Sequence, residues 1–315
     1  MATNNESLKM GFIIVGFPGS FCLQNLFFTL LLASYLLTIF SNIIIIIITR
    51  LEHCLQTPMY FYLRCFAFLE VCYINVTVPK ILSTITFHGR FISFTGCITQ
   101  LFFFFFLSST ECFLLGVMAL DRYLAICYPL QYPSLMTISL CRNLSKSSWI
   151  VGFATTFPPI LLISQLPFCS NIVNHFFCDA PPLLKISCVD TSLNDLLDFL
   201  CASLVIVTSF TVTLFCYVYI IVTVLKIPTT EGRKKAFSTC GSHLTVVLIY
   251  YSTVIFMYVR PKVGFTFTLN RVVSVFYVVV TPILNPIIYC LRNKEVKESV
   301  KKRLALVKLF YKSYY

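Results

Sequence analysis

Two carboxylates, Glu70 and Glu111, stand inside long apolar runs, where an uncompensated charge costs several kcal/mol. One shared proton or one bound Na⁺ would let the two coexist. The alternative is that each is protonated and hydrogen-bonds a neighbouring helix. A second constellation, His175-Phe176-Phe177-Cys178-Asp179, offers imidazole, thiol and carboxylate, all of them metal ligands, but a sulfur held in a disulfide cannot also be a thiolate ligand. Asp121 and Arg122 are adjacent and form either a restrained ion pair or a solvated helix end. Pro282 and Pro286 each remove a backbone donor, and Asn285 between them can re-satisfy freed groups, which marks a hinge. No nucleophile, base and orienting group occur together at a motif spacing, so an enzyme is not expected.

The elements that must position these groups follow from composition. Of 315 residues, 58% are hydrophobic and 11% charged, mean hydropathy is +0.86 and Phe occurs 32 times. A soluble domain is roughly 25% charged, so most of this surface is expected to meet lipid. Apolar runs of about 20 residues cover Leu26 to Thr49, Tyr60 to Ile85, Cys97 to Leu120, Leu144 to Leu166, Leu196 to Leu225, Leu244 to Val259 and Val272 to Leu291. Arg64 and Glu70 interrupt the second run, and the sixth is short unless Phe237 to His243 extend it. The expected fold is an all-α bundle of seven transmembrane helices. Its parts are an N-terminal tail over 1–25, a helical domain over 26–291 and a basic tail over 292–315.

Charge sets the expected orientation. With the N-terminus outside, seventeen of the 24 Lys and Arg fall on the cytoplasmic side, as the positive-inside rule asks. An even number of spans would place Lys9 and the basic C-terminal tail on one side. No removable signal peptide is expected. Asn5-Glu6-Ser7 is then the reachable glycosylation sequon, because Asn75 and Asn143 fall in the membrane or the cytoplasm.

Along the third run, 3.6 residues per turn place Phe104 and Arg122 on one face, with Ser108 and Glu111 near the same line, over roughly 27 Å. That stripe links the two membrane surfaces, or it simply packs. Most of the 15 cysteines read as small apolar fillers. Cys97, Cys169, Cys178 and Cys188 lie on the external side, where oxidation is expected, and four such residues allow three pairings.

Four strings occur in order: PMYFYL at Pro58 to Leu63, MALDRYLAIC at Met118 to Cys127, KAFSTCGSHL at Lys235 to Leu244 and PILNPIIYCLRN at Pro282 to Asn293. Together with the Cys169 to Cys188 loop they resemble rhodopsin-like G-protein-coupled receptors, and more narrowly the vertebrate olfactory receptors. The resemblance runs through the whole chain. It implies bonds from Cys97 to Cys178 and from Cys169 to Cys188. It also implies that Asp121 restrains Arg122, that Arg122 holds the inner ends of spans three and six together, and that Asn285, Pro286 and Tyr289 move as a switch. Tyr123 and Tyr217 join that activation set. The chain departs from the family pattern at Ser41, Arg64, Cys216 and Tyr250-Tyr251-Ser252, and at Leu120, where the family carries Tyr before Asp121.

The pockets of such receptors lie in the outer half of the bundle, which here offers Phe104, Phe105, Ser108 and Ser109, with Tyr251, Ile255 and Tyr258 at i, i+4 and i+7. Pockets are mostly apolar with few polar groups, so the expected ligand is a small, largely apolar odorant. Phe104 and Phe105 offer no carboxylate for an amine. The resemblance implies a multi-pass plasma-membrane receptor coupled to a stimulatory, olfactory-type heterotrimeric G protein and rising cyclic AMP. Arg233 to Lys235 and the Lys294 to Lys312 tract face that partner or anionic lipid. No nucleic acid is expected as a partner, and no cofactor beyond a Na⁺ ion in the bundle core. Use of the same fold as a chemoreceptor for a small metabolite is the alternative. A transporter or channel would show inverted repeats, and none is apparent.

Overall fold

The computed structural model describes residues 11–16, 20–85, 89–258 and 296–303. Among the described residues, five helices are long and apolar enough to cross a membrane: α1 (Phe21–Leu51), α2 (Pro58–Ile85), α3 (Phe94–Cys127), α5 (Ile138–Ser164) and α7 (Ser192–Leu225). Helices dominate because a backbone in hydrocarbon must satisfy its own donors and acceptors. Each long helix starts before its expected apolar stretch, since hydropathy reports the lipid-facing part whereas the hydrogen-bond ladder continues into water, and α5 ends at Ser164, two residues short of the expected Leu166. A sixth long helix, α8 (Thr230–Tyr258), starts well before the expected Leu244. Its first turns carry Glu231, Arg233 and Lys234, which is why apolarity alone placed its start late. The seventh expected run, Val272 to Leu291, lies outside the described residues. Two short helices, α4 (Tyr132–Leu135) and α6 (Ala180–Lys185), sit in the connections.

Helix starts follow local capping chemistry. Ser93 accepts from Gly96 N at 3.1 Å before α3, Thr137 from Leu140 N at 3.3 Å before α5, and Asp179 from Ala180 N at 2.9 Å before α6. Of the five spans, α3 is the most enclosed and α1 the most exposed. α5 packs tightly on α3 at Gly152, where a β-carbon would come within 2.5 Å of Thr110 Oγ1.

The all-α expectation needs one amendment. Within the stretch read as a plain N-terminal tail, β1 (Gly11–Ile14) pairs antiparallel with β2 (Phe91–Ser93) and parallel with β3 (Ile172–Val173), giving the order β2-β1-β3. Phe12 and Ile14 are buried while Ile13 is exposed, the alternation of a half-buried strand. These two side chains join Cys97, Phe168, Cys178 and Leu183 in a small core that roofs one end of the bundle. Four residues of strand are too short for periodicity to reveal.

Candidate functional site

Below that roof, a cavity of about 50 Å³ opens between α3, α5 and α7. Phe105, Ser108, Ser109 and Cys112 line it from α3, and Asp198, Cys201, Ala202 and Val205 from α7. Both sets run i, i+3, i+4, i+7, the spacing that puts four side chains on one helix face. Thr155, Thr156, Pro159 and Ile160 of α5 and Ile206 of α7 complete the described lining. Ser109 Oγ lies 3.4 Å from Thr156 Oγ1 across the gap between α3 and α5.

The structure sorts the expected pocket residues. Phe105, Ser108 and Ser109 face the cavity together. Phe104, one position away on α3, points instead into the core, with ring centroids 5.0 Å from Phe177 and 5.6 Å from Tyr73. Tyr251 packs edge-on against Phe210 and donates to Cys112 O at 3.5 Å, so it backs the cavity rather than lining it. Ile255 is 37% exposed and points away, and the side chain of Tyr258 lies outside the described residues. Phe104 and Phe105 offer no carboxylate, but Asp198 of α7 is part of the lining. Cys112 and Cys201, read as fillers, also face it. Only the α7 spacing from Asp198 to Val205 could have signalled this from sequence.

Behind the lining, Tyr250 of α8 joins the cavity to the rest of the bundle. Its hydroxyl donates to Ser108 O at 3.0 Å and lies 3.2 Å from Cys112 Sγ. Above, disulfides join Cys97 to Cys178 and Cys169 to Cys188. Gln100, unremarked in the sequence, fastens the same loop: its Oε1 accepts from Cys178 N at 3.1 Å and its Nε2 donates to Val76 O at 2.8 Å. His175 Nε2 lies 4.0 Å from Asp179 Oδ2. Burial pushes the Asp179 carboxyl up to about 7, against the Ala180 N–H that favours its charge and with the Asp198 charge adding to the rise. Among the described residues no three His, Cys, Asp or Glu gather as a metal site.

At mid-depth Glu70 and Glu111 are both buried and close enough to repel one another. Glu111 Oε1 has no hydrogen-bond partner among the described residues. At the far end of α3, Arg122 Nη2 donates to Asp121 Oδ2 and both are buried. Tyr132 of α4, also unremarked in the sequence, donates to Asp121 Oδ1 at 2.7 Å. Tyr217 and His243 join α7 to α8 at 2.6 Å, within reach of the Arg122 charge. Tyr123 faces outward against Phe215 and Tyr219 of α7. Asn285, Pro286, Tyr289 and Asn5 lie outside the described residues.

Long apolar helices around a roofed cavity, with a buried acid–arginine pair at the opposite end, describe a helical membrane protein with a site between its spans. A family model described as olfactory receptor matches residues 31–307. The chain is 48% identical to Olfactory receptor 6B9 of Mus musculus, over 93% of each chain. It is 50% identical to Olfactory receptor 6P1 of Homo sapiens over 92% of each, and 49% identical to Olfactory receptor 6A2 of Homo sapiens over 94% of this chain and 92% of the relative. The chain belongs to the olfactory receptor family.

Proposed function

We propose that this protein is an odorant receptor whose ligand enters the cavity between α3, α5 and α7 and whose activation raises cyclic AMP through a stimulatory, olfactory-type G protein. The observation that carries this reading is the cavity itself, with apolar walls, the hydroxyls of Ser108, Ser109 and Thr156, and Asp198 at one side. Such a lining suits a small, largely apolar molecule, and Asp198 favours one bearing a single N–H or O–H donor. The ligand shifts a pre-existing equilibrium by its differential affinity for the two states. Tyr250 carries the shift from the cavity wall to α8, and α8 carries it through His243 and Tyr217 to the neighbourhood of Arg122. In this reading seven spans cross the plasma membrane over 26–291, with the 1–25 tail outside and the 292–315 tail in the cytoplasm. Asn5 is glycosylated.

The Glu111 oxygen, without a hydrogen-bond partner among the described residues and facing the Glu70 charge, supports a Na⁺ ion or a shared proton between these two carboxylates. The pair would hold the cation at the level where α2 and α3 meet, and would release it as the helices rearrange. Glu111→Gln should then abolish the Na⁺ dependence of thermal stability.

The test is to express the chain with a trafficking helper and the olfactory G protein, verify surface exposure, and record cyclic AMP against a broad panel of volatiles. A dose-dependent rise that disappears in Arg122→Ala, at equal surface level, is expected. A response that survives Arg122→Ala would remove that residue from the coupling route.

A further inference from the structure

The cavity between α3, α5 and α7 has four hydroxyls in its described lining, and each already has a protein partner. Thr155 donates to Val151 O at 2.9 Å, and the side-chain oxygens of Ser109 and Thr156 lie 3.4 Å apart. Ser108 Oγ lies 3.5 Å from the Tyr250 hydroxyl, which itself donates to Ser108 O. Asp198 differs in kind. It is the one charged side chain among the described lining residues, and no Lys, Arg or His stands with it there. An ionised carboxylate only accepts, and its two oxygens offer about four lone-pair sites, so a contact on the protein side still leaves room for donors from a ligand. Such a group selects a positively charged donor, because a hydrogen bond between ionised groups is roughly twice as strong as a neutral one.

Position sets the rest of the ligand. Asp198 lies in the second turn of α7, which begins at Ser192, and its charge reaches Asp179 in the roof, so it stands at the roofed end of the cavity. Val205, on the same face, is roughly 10 Å deeper at 1.5 Å per residue, and with Ile206 and Cys112 it lines the inner end. The approach favours the same charge. Residues 179–198 hold four of the chain's 12 Asp and Glu but only one of its 24 Lys and Arg, and an acidic rim on low-dielectric walls concentrates cations. Resting on the reading of this cavity as the ligand site, we propose that the receptor takes a small primary or secondary amine, with its ammonium on Asp198 and its hydrocarbon part towards Val205 and Ile206. A carboxylic acid would meet a like charge, and an alcohol of the same shape would form only the weaker bond of a neutral donor.

The purified full chain would be melted at constant pH with matched primary amines and alcohols from propyl to octyl, linear and branched, and the same compounds scored for cyclic AMP in cells. Melting reads occupancy without the G protein, so the ligand class and the signalling reading can fail separately. At least one amine is expected to stabilise the receptor at about one tenth of the concentration its alcohol requires, the ratio set by the extra strength of a charged hydrogen bond. Asp198→Asn, of the same size, should remove that advantage and leave the alcohol's effect, while Asp198→Glu should keep it. If the Asn variant folds poorly, the wild-type comparison of amine with alcohol decides the preference. Amines no better than their alcohols, amines equally effective in wild type and Asp198→Asn, or a series in which no amine binds would each overturn the proposal. Amine stabilisation without a cyclic AMP rise would uphold the amine site and overturn the signalling reading instead.

Discussion

The hydroxyl of Tyr250 on α8 donates to the main-chain carbonyl of Ser108 on α3 at 3.0 Å, and both residues are buried. Ser108 lines the cavity while Tyr250 does not, so a molecule pressing on the α3 wall is felt by α8 without touching it. Replacing Tyr250 by Phe leaves that carbonyl short of a buried donor, a cost of about 1–3 kcal/mol. The expected result is a lower melting temperature of the purified receptor and a weaker cyclic AMP maximum at unchanged surface level. An unaltered dose–response curve would sever this link from the signalling route.

Asp121 is held by Tyr132 while it holds Arg122. Asp121→Asn removes the charge that compensates a buried guanidinium, and breaking a buried pair costs about 3–5 kcal/mol. Release of Arg122 should raise ligand-independent cyclic AMP. Tyr132→Phe, which only loosens the orientation of Asp121, should move basal signalling the same way by less. A fall in basal signal in both variants would contradict the restraint.

Stability should depend on pH through Asp179. Its carboxyl titrates at about 7 in the folded protein and near about 4 when unfolded, so between these values the folded state holds one more proton. Stability from this group is therefore greatest in acid, declines as pH rises through that window, and is flat above it. Melting curves of the wild type and Asp179→Asn between pH 5 and pH 8 should diverge, the variant losing this component of the slope.

The two disulfides differ in what they close. Cys97 to Cys178 spans 81 residues and Cys169 to Cys188 spans 19. By loop entropy alone the longer closure is worth about 1 kcal/mol more. Surface staining should therefore fall further in Cys97→Ser than in Cys169→Ser. Equal losses would point to local packing rather than chain entropy.

Residues 296–303 form a helical segment fastened to the end of α1, where Arg303 Nε donates to Glu52 Oε1 at 2.6 Å. The Arg303 hydrogen bond holds the Glu52 carboxyl below its ordinary value, so the contact persists at neutral pH and is lost in acid. Glu52→Arg should free the segment and increase its proteolysis. Adding Arg303→Glu should restore protection, an outcome that a merely local role for Glu52 would not give.

Composition and motif order alone determined that this chain lies in a membrane as apolar helices and resembles an odorant receptor, because hydrophobic runs of span length have few other uses. The same strings singled out Glu70, Glu111, Asp121 and Arg122, since charge in hydrocarbon needs a reason wherever it falls. Periodicity within α3 put Phe105, Ser108 and Ser109 together. It could not say that Phe104 turns to Phe177 and Tyr73 while Phe105 turns to the cavity. Helical spacing fixes angles within one helix, whereas the rotation of each helix against its neighbours is set by packing. For that reason Gln100 and Tyr132 became legible only in the tertiary structure. Their partners are 78 residues away for Gln100 and Cys178 and 11 for Tyr132 and Asp121, and no local pattern records which distant group a side chain will meet.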